Sequence, residues 1–479
     1  MDTSIGNALI VGGGPAGALA AKMLSDRKFN VTLVELYPDP SGSQEKRHAY
    51  VISINPRGAR ALRRVGIDPT TDLDCGVASY ALIRNGTKAN YAPKIKKMDE
   101  PHVFFRRQKL TAGLLEKAKE AGATIVYGEK LTDIDFDEKI ATFESSETGK
   151  VTKRSYDLLV GADGVKSVTR TLLENRGLFD GPVRTIEDDM QYQVAVLPHW
   201  KELLCSEASV DAPDTSFQSY ADRSSNTNSL SFPLPDGKTL VTFIAPSGFL
   251  DKLKKEGVES YKPALETHFS NWSDEARLEL ATQLAAEDNV PTNGGLCVWT
   301  PALGAPKKGV VLVGDSGHGM WPSLGQGCNA ALESVSVLAD AVEAVCGTDY
   351  VIPSAGAGVR KEDIWEMTSG ERSCLVAEEY QGLRYDDAKA IVDLTFNGIG
   401  GRRVRGQQNG TVMFLFKLSL MTILNKVTLS IVPKPFLLRM QFGDDVPYST
   451  LLWQGKCETM LAYFVLLAIP AFFALIMFK

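Results

Sequence analysis

The stretch ALIVGGGPAGALAAKML, Ala8 to Leu24, decides the fold. Ala8-Leu9-Ile10-Val11 is a short buried strand. Gly12-Gly13-Gly14-Pro15-Ala16-Gly17 follows, and the run from Ala18 to Leu24 reads as a helix. Val31-Thr32-Leu33-Val34-Glu35 is a second strand, which completes a βαβ unit. Glycines at 12, 14 and 17 permit a tight turn, close approach of an anionic group and close packing of helix on strand. The helix start adds unpaired N–H donors and a positive dipole end. Between a strand and a helix, this spacing marks a dinucleotide site, with Glu35 placed to accept from ribose hydroxyls.

Working outward, a second glycine-rich loop asks for the same guest. Val310 to Val313 is an apolar strand, and GDSGHGMWPSLGQGCN, Gly314 to Asn329, leaves it with five glycines and one proline. A helix follows from Ala330. So bare a loop lets backbone N–H groups come close to an anionic ligand at a helix start. Between the two lies Gly161-Ala162-Asp163-Gly164-Val165-Lys166-Ser167-Val168-Thr169-Arg170, a strand end that turns into a helix.

Composition bounds the class. The chain has 479 residues, 44% hydrophobic and 23% charged, enough for two or three domains with sizeable cores. A net charge of -6 argues against a nucleic-acid partner. Seven scattered cysteines (75, 205, 297, 328, 346, 374, 457) without a Cys-x-x-Cys pair point to reduced thiols and a cytosol-facing body. Five histidines show no metal-ligand spacing, so no metal is expected.

The fold expected is α/β plus antiparallel β. A Rossmann-like domain is assembled from 1–80, 100–180 and 300–345. An inserted substrate-binding β-sheet domain takes 81–99 and 181–299, where β-branched segments alternate with turns such as Pro235-Asp236-Gly237. A helical region, 346–458, follows. Met460 to Phe478 is uncharged and apolar throughout, nearly long enough as a helix to cross a bilayer, so 459–478 is predicted to be a transmembrane anchor. Upstream, lysines interrupt an apolar region at Lys417, Lys426 and Lys434, which suggests helices that pack on the body and graze a membrane with their ammonium heads among lipid headgroups; plain packing helices and a second span stay open.

The three motifs together, G-x-G-x-x-G, G-A-D-G-x-x-S-x-x-R and G-D-x-x-H-x-x-x-P-x-x-G-Q-G-x-N, resemble those of the FAD-dependent aromatic-ring monooxygenases, the single-component flavoprotein hydroxylases. Within them the likeness runs to the kynurenine 3-monooxygenases. It extends to Arg57-Gly58-x-x-Ala61-Leu62-x-x-Val65-Gly66 and Arg107-x-x-Leu110-x-x-x-Leu114-Leu115. The resemblance implies FAD as cofactor, held by Gly12, Gly14, Ala16, Gly17, Glu35, Arg107, Leu131, Asp163, Asp315, Pro322, Gly325, Gly327, Cys328 and Asn329. It implies NADPH or NADH as co-substrate and dioxygen as oxidant. Oxygen would pass from a C4a-hydroperoxyflavin to an electron-rich aromatic substrate. No side chain need be an obligatory acid or base, and His318 reads as a packed loop residue.

The substrate side departs from the family pattern. Its carboxylate-holding arginine falls at Ala81 here, with Arg84 three residues on. Its tyrosine corresponds to Tyr91 and its helical asparagine to Asn397, while a later tyrosine has no partner near Met440. Arg84, Tyr91 and Asn397 are the candidate substrate-binding residues. Two alternatives stay open. One is an epoxidase or hydroxylase of a membrane lipid such as a sterol precursor, carotenoid or quinone. The other is a flavin-dependent reductase or a non-catalytic flavin-binding membrane protein. A C-terminal span would tether a cytosolic body to the endoplasmic reticulum or, as the resemblance implies, to the mitochondrial outer membrane.

Overall fold

The computed structural model describes residues 4–40, 51–85, 94–205, 213–222, 226–347, 364, 366–397 and 408–477. Its α/β part is a six-stranded sheet ordered β18-β19-β10-β1-β2-β6. These strands are Gly304–Ala305, Val310–Leu312, Leu158–Gly161, Asn7–Val11, Asn30–Glu35 and Thr124–Tyr127. All neighbours pair in parallel except β18 with β19. The strands read as unbroken apolar runs because both faces are covered. Helices α1 (Pro15–Asp26), α3 (Arg107–Glu120) and α9 (Gly327–Cys346) bury one face through Leu19, Leu114, Leu338 and their neighbours. The other face packs on the three-stranded sheet β7-β8-β9 (Glu129–Asp135, Ile140–Ser145, Val151–Ser155) through Ile134 and Phe143.

The second body is an eight-stranded, largely antiparallel sheet ordered β16-β12-β15-β14-β13-β4-β5-β3. It draws on β3 (Val51–Ile54), β4 (Gly76–Asn85) and β5 (Lys94–Arg106) as well as β12 to β16 (Met190–Leu197, Ser216–Asp222, Thr227–Pro233, Thr239–Pro246, Thr292–Asn293). The first hundred residues therefore give the sheet more than the stretch 81–99. Alternation assigns its two faces. Val241, Phe243, Tyr220 and Ala195 pack under α5 (Phe249–Glu256), α6 (Val258–His268) and α7 (Asp274–Ala285). Phe104, Phe232, Val194 and Leu240 form the opposite face, with Phe217 and Phe442 against them. The ribbon β11–β17 (Arg184–Glu187, Leu296–Trp299) joins the two bodies.

The C-terminal helices are α10 (Ser369–Asn397), α11 (Gln408–Val427), α12 (Phe436–Gln441) and α13 (Tyr448–Met477). The described helices give the membrane expectations no support. Among the described residues no helix is long and apolar enough to cross a membrane. The apolar run continues a helix that begins at Tyr448; the helix is buried at Tyr448, Leu451 and Ala462, while Met460, Tyr463, Phe464 and Leu467 in the run are exposed. Lys417 is not at a lipid surface. It is buried, donates to the Gly455 carbonyl (3.4 Å) and Thr459 Oγ1 (3.2 Å), and sits 4.7 Å over the Phe436 ring. Its ammonium finds these partners inside the protein, so it has no need of headgroups. The basic run Arg402 to Arg405 lies outside the described residues.

Candidate active site

The site begins where β1 enters α1. Gly12 has φ +101°, and a Cβ there would lie 2.5 Å from the Ala162 carbonyl oxygen. A Cβ on Gly17 would lie 1.9 Å from the Gly12 oxygen. Both glycines serve close packing. Gly14 differs, because a Cβ there would meet nothing within 4 Å. It opens on free space at the start of α1, which has no side-chain cap and no acidic residue in its first turn. The helix start is thus free to take an anion. Glu35 sits beside it, accepting from the Gly13 N–H (2.5 Å) and the Tyr37 N–H (2.8 Å). Leu131 is buried with Val34 in the core just behind.

The second motif organises itself. Asp163 accepts from Ser167 Oγ (2.5 Å), Thr169 N–H (2.9 Å) and Thr169 Oγ1 (3.0 Å). Its side chain orders the turn into α4 (Val168–Asn175). Buried Arg170 then reaches across to donate to the Ser316 carbonyl (2.8 Å) and the Val165 carbonyl (2.7 Å). That stitches the second motif to the third. Ala16 ties in the first, since a Cβ on Gly314 would lie 3.3 Å from the Ala16 Cβ.

The third motif leaves β19 through Gly314 at φ +61°, forms one short helical turn, Asp315–His318, and passes Pro322–Leu324 to Gly325 at φ +62°. Asp315 is accessible yet surrounded by protein, as a group lining an interior cleft must be. That enclosure raises its pKa, while Arg107 and Arg170 pull the other way. Arg107, exposed at the start of α3, is thereby placed beside Asp315 and Cys328. The Cys328 thiol is pushed up to about 12 by burial, so it is no nucleophile. Pro322 and Gly325 are exposed, and Gly327 and Cys328 half-buried. Helix α9 starts at Gly327 with no side-chain cap. Asn329 is buried, and its side chain is committed to protein. It accepts from the Asn55 N–H (3.0 Å) and donates to Ser53 O (3.0 Å) and Gly325 O (2.9 Å). His318 is buried on Ser334 Oγ (2.7 Å), its pKa driven down to about 3 by desolvation, so it is a packed residue.

Some of the cofactor candidates are brought together: Ala16 lies against Gly314 and Arg107 beside Asp315 and Cys328, whereas Leu131 is in the core and the Asp163 and Asn329 side chains are bonded within the protein. The third motif thus offers an accessible enclosed carboxylate and an uncapped helix start next to the open, uncapped start of α1. That arrangement suits an extended flavin dinucleotide: phosphates at α1, a polyhydroxyl chain at Asp315, and a ring at Pro322 to Cys328.

The substrate candidates fare differently. Gln441 Nε2 donates to the Leu324 carbonyl (2.9 Å), and the adjacent Phe442 packs on the Phe104–Phe232 face of the large sheet. That face is the one turned to the third motif. In the parallel β4–β13 register, Ala81 pairs with Phe217 on this face, whereas Arg84 pairs with Tyr220, which packs under the opposite helices. The Arg84 side chain lies outside the described residues. Lys96 pairs with Ala81 across β4–β5. Tyr91 lies outside the described residues. Asn397 is exposed and donates to the Asp393 carbonyl (3.0 Å). Its neighbour Phe396 turns inward instead, with centroids 5.1 Å from Trp299 and 5.5 Å from Trp321.

Sequence reading missed a buried network behind the turn. Tyr448 donates to Gln326 Oε1 (3.1 Å). Arg57 and Arg384 both bond the Glu333 carboxylate (2.5 and 2.7 Å), and Arg57 sits 4.2 Å over the Tyr448 ring. Only Arg57 carried a signal, through its Arg-Gly motif.

Comparison with known proteins agrees with this geometry. Residues 6–202 match the FAD binding domain family. A kynurenine 3-monooxygenase of Christiangramia forsetii is 26% identical over 388 residues, 81% of this chain and 78% of its own. Violacein synthase of Chromobacterium violaceum is 26% identical over 344 residues, 70% of this chain and 77% of its own. Among solved structures, P. aeruginosa PqsL in complex with 2-aminobenzoylacetate has a TM-score of 0.61 at 18% identity, covering 85% of this chain and 99% of its own. Motifs, fold and relatives support an oxidoreductase whose cofactor is FAD, similar to the FAD-dependent aromatic-ring hydroxylases. Within that class the chain is similar to the kynurenine 3-monooxygenases.

Proposed function

We propose that this protein uses NAD(P)H and dioxygen to hydroxylate a small, electron-rich aromatic compound of the kynurenine type, over a flavin lying in the cleft from Gly14 to Cys328. The observation that carries the reading is the aromatic sheet face turned toward the Pro322–Gly325 turn, joined to it through Gln441 and Phe442. When bound, FAD supplies the redox and oxygen-activating chemistry. The chain supplies the rest. The α1 start takes phosphate charge and Glu35 a ribose hydroxyl. Asp315 accepts from the sugar chain, held in place by the Arg170 stitch. Gly325, Gly327 and Cys328 offer backbone N–H groups to the ring edge. The apolar rings of Phe104, Phe217 and Phe232 keep water from the space above. The reading fits an aryl ring better than an amino-acid headgroup, because Ala81 stands where the family's arginine would be. Unpaired cysteines throughout the described chain support a reducing compartment.

The test is NADPH-driven bleaching of the flavin, with oxygen uptake, in the presence of a panel of aromatic effectors. Acceleration by aromatic amines or ketones, with hydroxylated product, is expected. Bleaching unmoved by every aromatic effector but accelerated by a lipid extract would overturn the proposed substrate class.

A further inference from the structure

The sheet face above the third motif is mostly hydrocarbon, and one of its few polar groups is a histidine. His102 on β5 lies in the same patch as Phe104, Phe217 and Phe232. Its ring is stacked on Phe217, with centroids 6.4 Å apart and planes 8° from parallel. Phe217 is stacked in turn on Phe232 at 6.4 Å and 18°, and Phe104 lies 5.0 Å from Phe232. The β4–β5 register pairs His102 with fully buried Ala78, which belongs to the same face. His102 is 8% exposed, yet its Nε2 has no hydrogen-bond partner. Two other unpartnered side-chain atoms on this sheet, Gln218 Nε2 and Ser231 Oγ, lie on the opposite face, where Ser231 pairs with Val241. Buried polar atoms are almost always bonded, so an unpartnered one on a ligand wall is available to bond a ligand.

We propose that His102 is a substrate-binding, specificity-determining residue, whose Nε2 hydrogen-bonds an uncharged polar atom on a planar aromatic substrate lying against the Phe217–Phe232 patch. Burial drives the imidazole pKa down to about 4, so the ring is neutral at physiological pH. A neutral imidazole offers one donor and one acceptor and no charge. It matches a carbonyl, phenol or aniline, and gives a carboxylate no ion pair. The substrate class is therefore an aryl ketone, phenol or aryl amine, selected by a hydrogen bond on an aromatic wall. This inference rests on the reading of that face as the substrate wall.

The experiment uses the full-length flavoprotein and reads dissociation constants from perturbation of the oxidised flavin spectrum. The probes are 2-aminoacetophenone, its apolar analogue ethylbenzene, and kynurenine. His102→Phe keeps the ring stack and removes the hydrogen bond; His102→Gln restores a donor and an acceptor. Flavin content and melting temperature confirm that each variant is folded. His102→Phe should weaken 2-aminoacetophenone about tenfold, leave ethylbenzene unchanged, and be largely rescued in His102→Gln. Equal binding of 2-aminoacetophenone by wild type and His102→Phe overturns the proposal, as does a wild type that binds kynurenine but neither neutral probe. Failure of all three probes to perturb the flavin would instead count against the aromatic-hydroxylase reading itself, and the proposal falls with it.

Discussion

The phenol of Tyr448, on the last helix, donates to Gln326 Oε1 at 3.1 Å, inside the turn that lies beneath the proposed ring site. Gln326 in turn donates to the Leu324 carbonyl (3.2 Å), and Asn55 Nδ2 points at the same Oε1 (3.4 Å). One hydroxyl from the C-terminal region thus braces the loop proposed to border the flavin. Tyr448→Phe removes the hydroxyl and keeps the ring under Arg57. The expected cost in unfolding free energy is about 1 kcal/mol. The turn should also loosen, with more NADPH lost to hydrogen peroxide per product formed. Coupling ratio and denaturant midpoint are the two readouts.

Glu333 is the anion between two guanidiniums. Burial alone would raise its pKa, but Arg384 and Arg57 outweigh that and lower it. Glu333→Gln leaves two buried cations facing each other, at an expected cost of about 3 kcal/mol. The pH sign follows from the lowered pKa. The carboxylate contributes its full stability above its unfolded value, 4.5, and loses it as pH falls through the lower folded value. Urea unfolding should therefore separate wild type from Glu333→Gln widely at pH 7, and the gap should narrow as pH falls below the unfolded value of 4.5. A gap independent of pH would show that the charge is not what matters.

The legible parts of this chain were those whose cause is local. A glycine fingerprint, an apolar strand and a helix start sit within a dozen neighbours of one another, so Ala8–Leu24 and Gly314–Asn329 declared both fold and ligand. Which β4 residues share a face with Ala78 was illegible, because a β-bulge between Ala78 and Tyr80 resets the alternation. Lys417 was misplaced because an apolar helix looks the same whether lipid or protein covers it. Its partners Gly455 and Thr459 lie 38 and 42 residues on. The Tyr448–Gln326 contact spans 122 residues, and no pattern in the sequence connects them.

Two neighbouring glycines should fail in different ways. Gly17→Ala drives a methyl to 1.9 Å from the Gly12 oxygen, so helix and strand must part. The expected cost is about 2 kcal/mol with loss of bound flavin. Gly14→Ala meets nothing within 4 Å, and its φ of -65° suits alanine. That variant should keep the fold and melting temperature of the apoprotein. It should still lose flavin affinity, because the methyl stands where a phosphate must approach the helix start. Equal flavin retention in Gly14→Ala and wild type would move the phosphates elsewhere.

Asp315 lets stability and cofactor binding be set against each other. Enclosure raises its pKa, despite Arg107 and Arg170. A raised carboxyl pKa means that the folded state prefers the proton. Its contribution is fully present below the unfolded value, 3.8, and is lost as pH rises through the folded one. At pH 7 the ionised Asp315 is thus a cost to the apoprotein, which the proposed contact of its carboxylate with the flavin's hydroxyl chain would offset. Asp315→Asn should raise the melting temperature of the apoprotein at pH 7 and leave it unchanged near pH 3. The same variant should gain less from added FAD than wild type, since an amide oxygen accepts more weakly than a carboxylate. Melting curves with and without FAD at the two pH values give all four numbers. An Asp315→Asn apoprotein less stable than wild type at pH 7 would mean that the carboxylate serves the fold, not the cofactor.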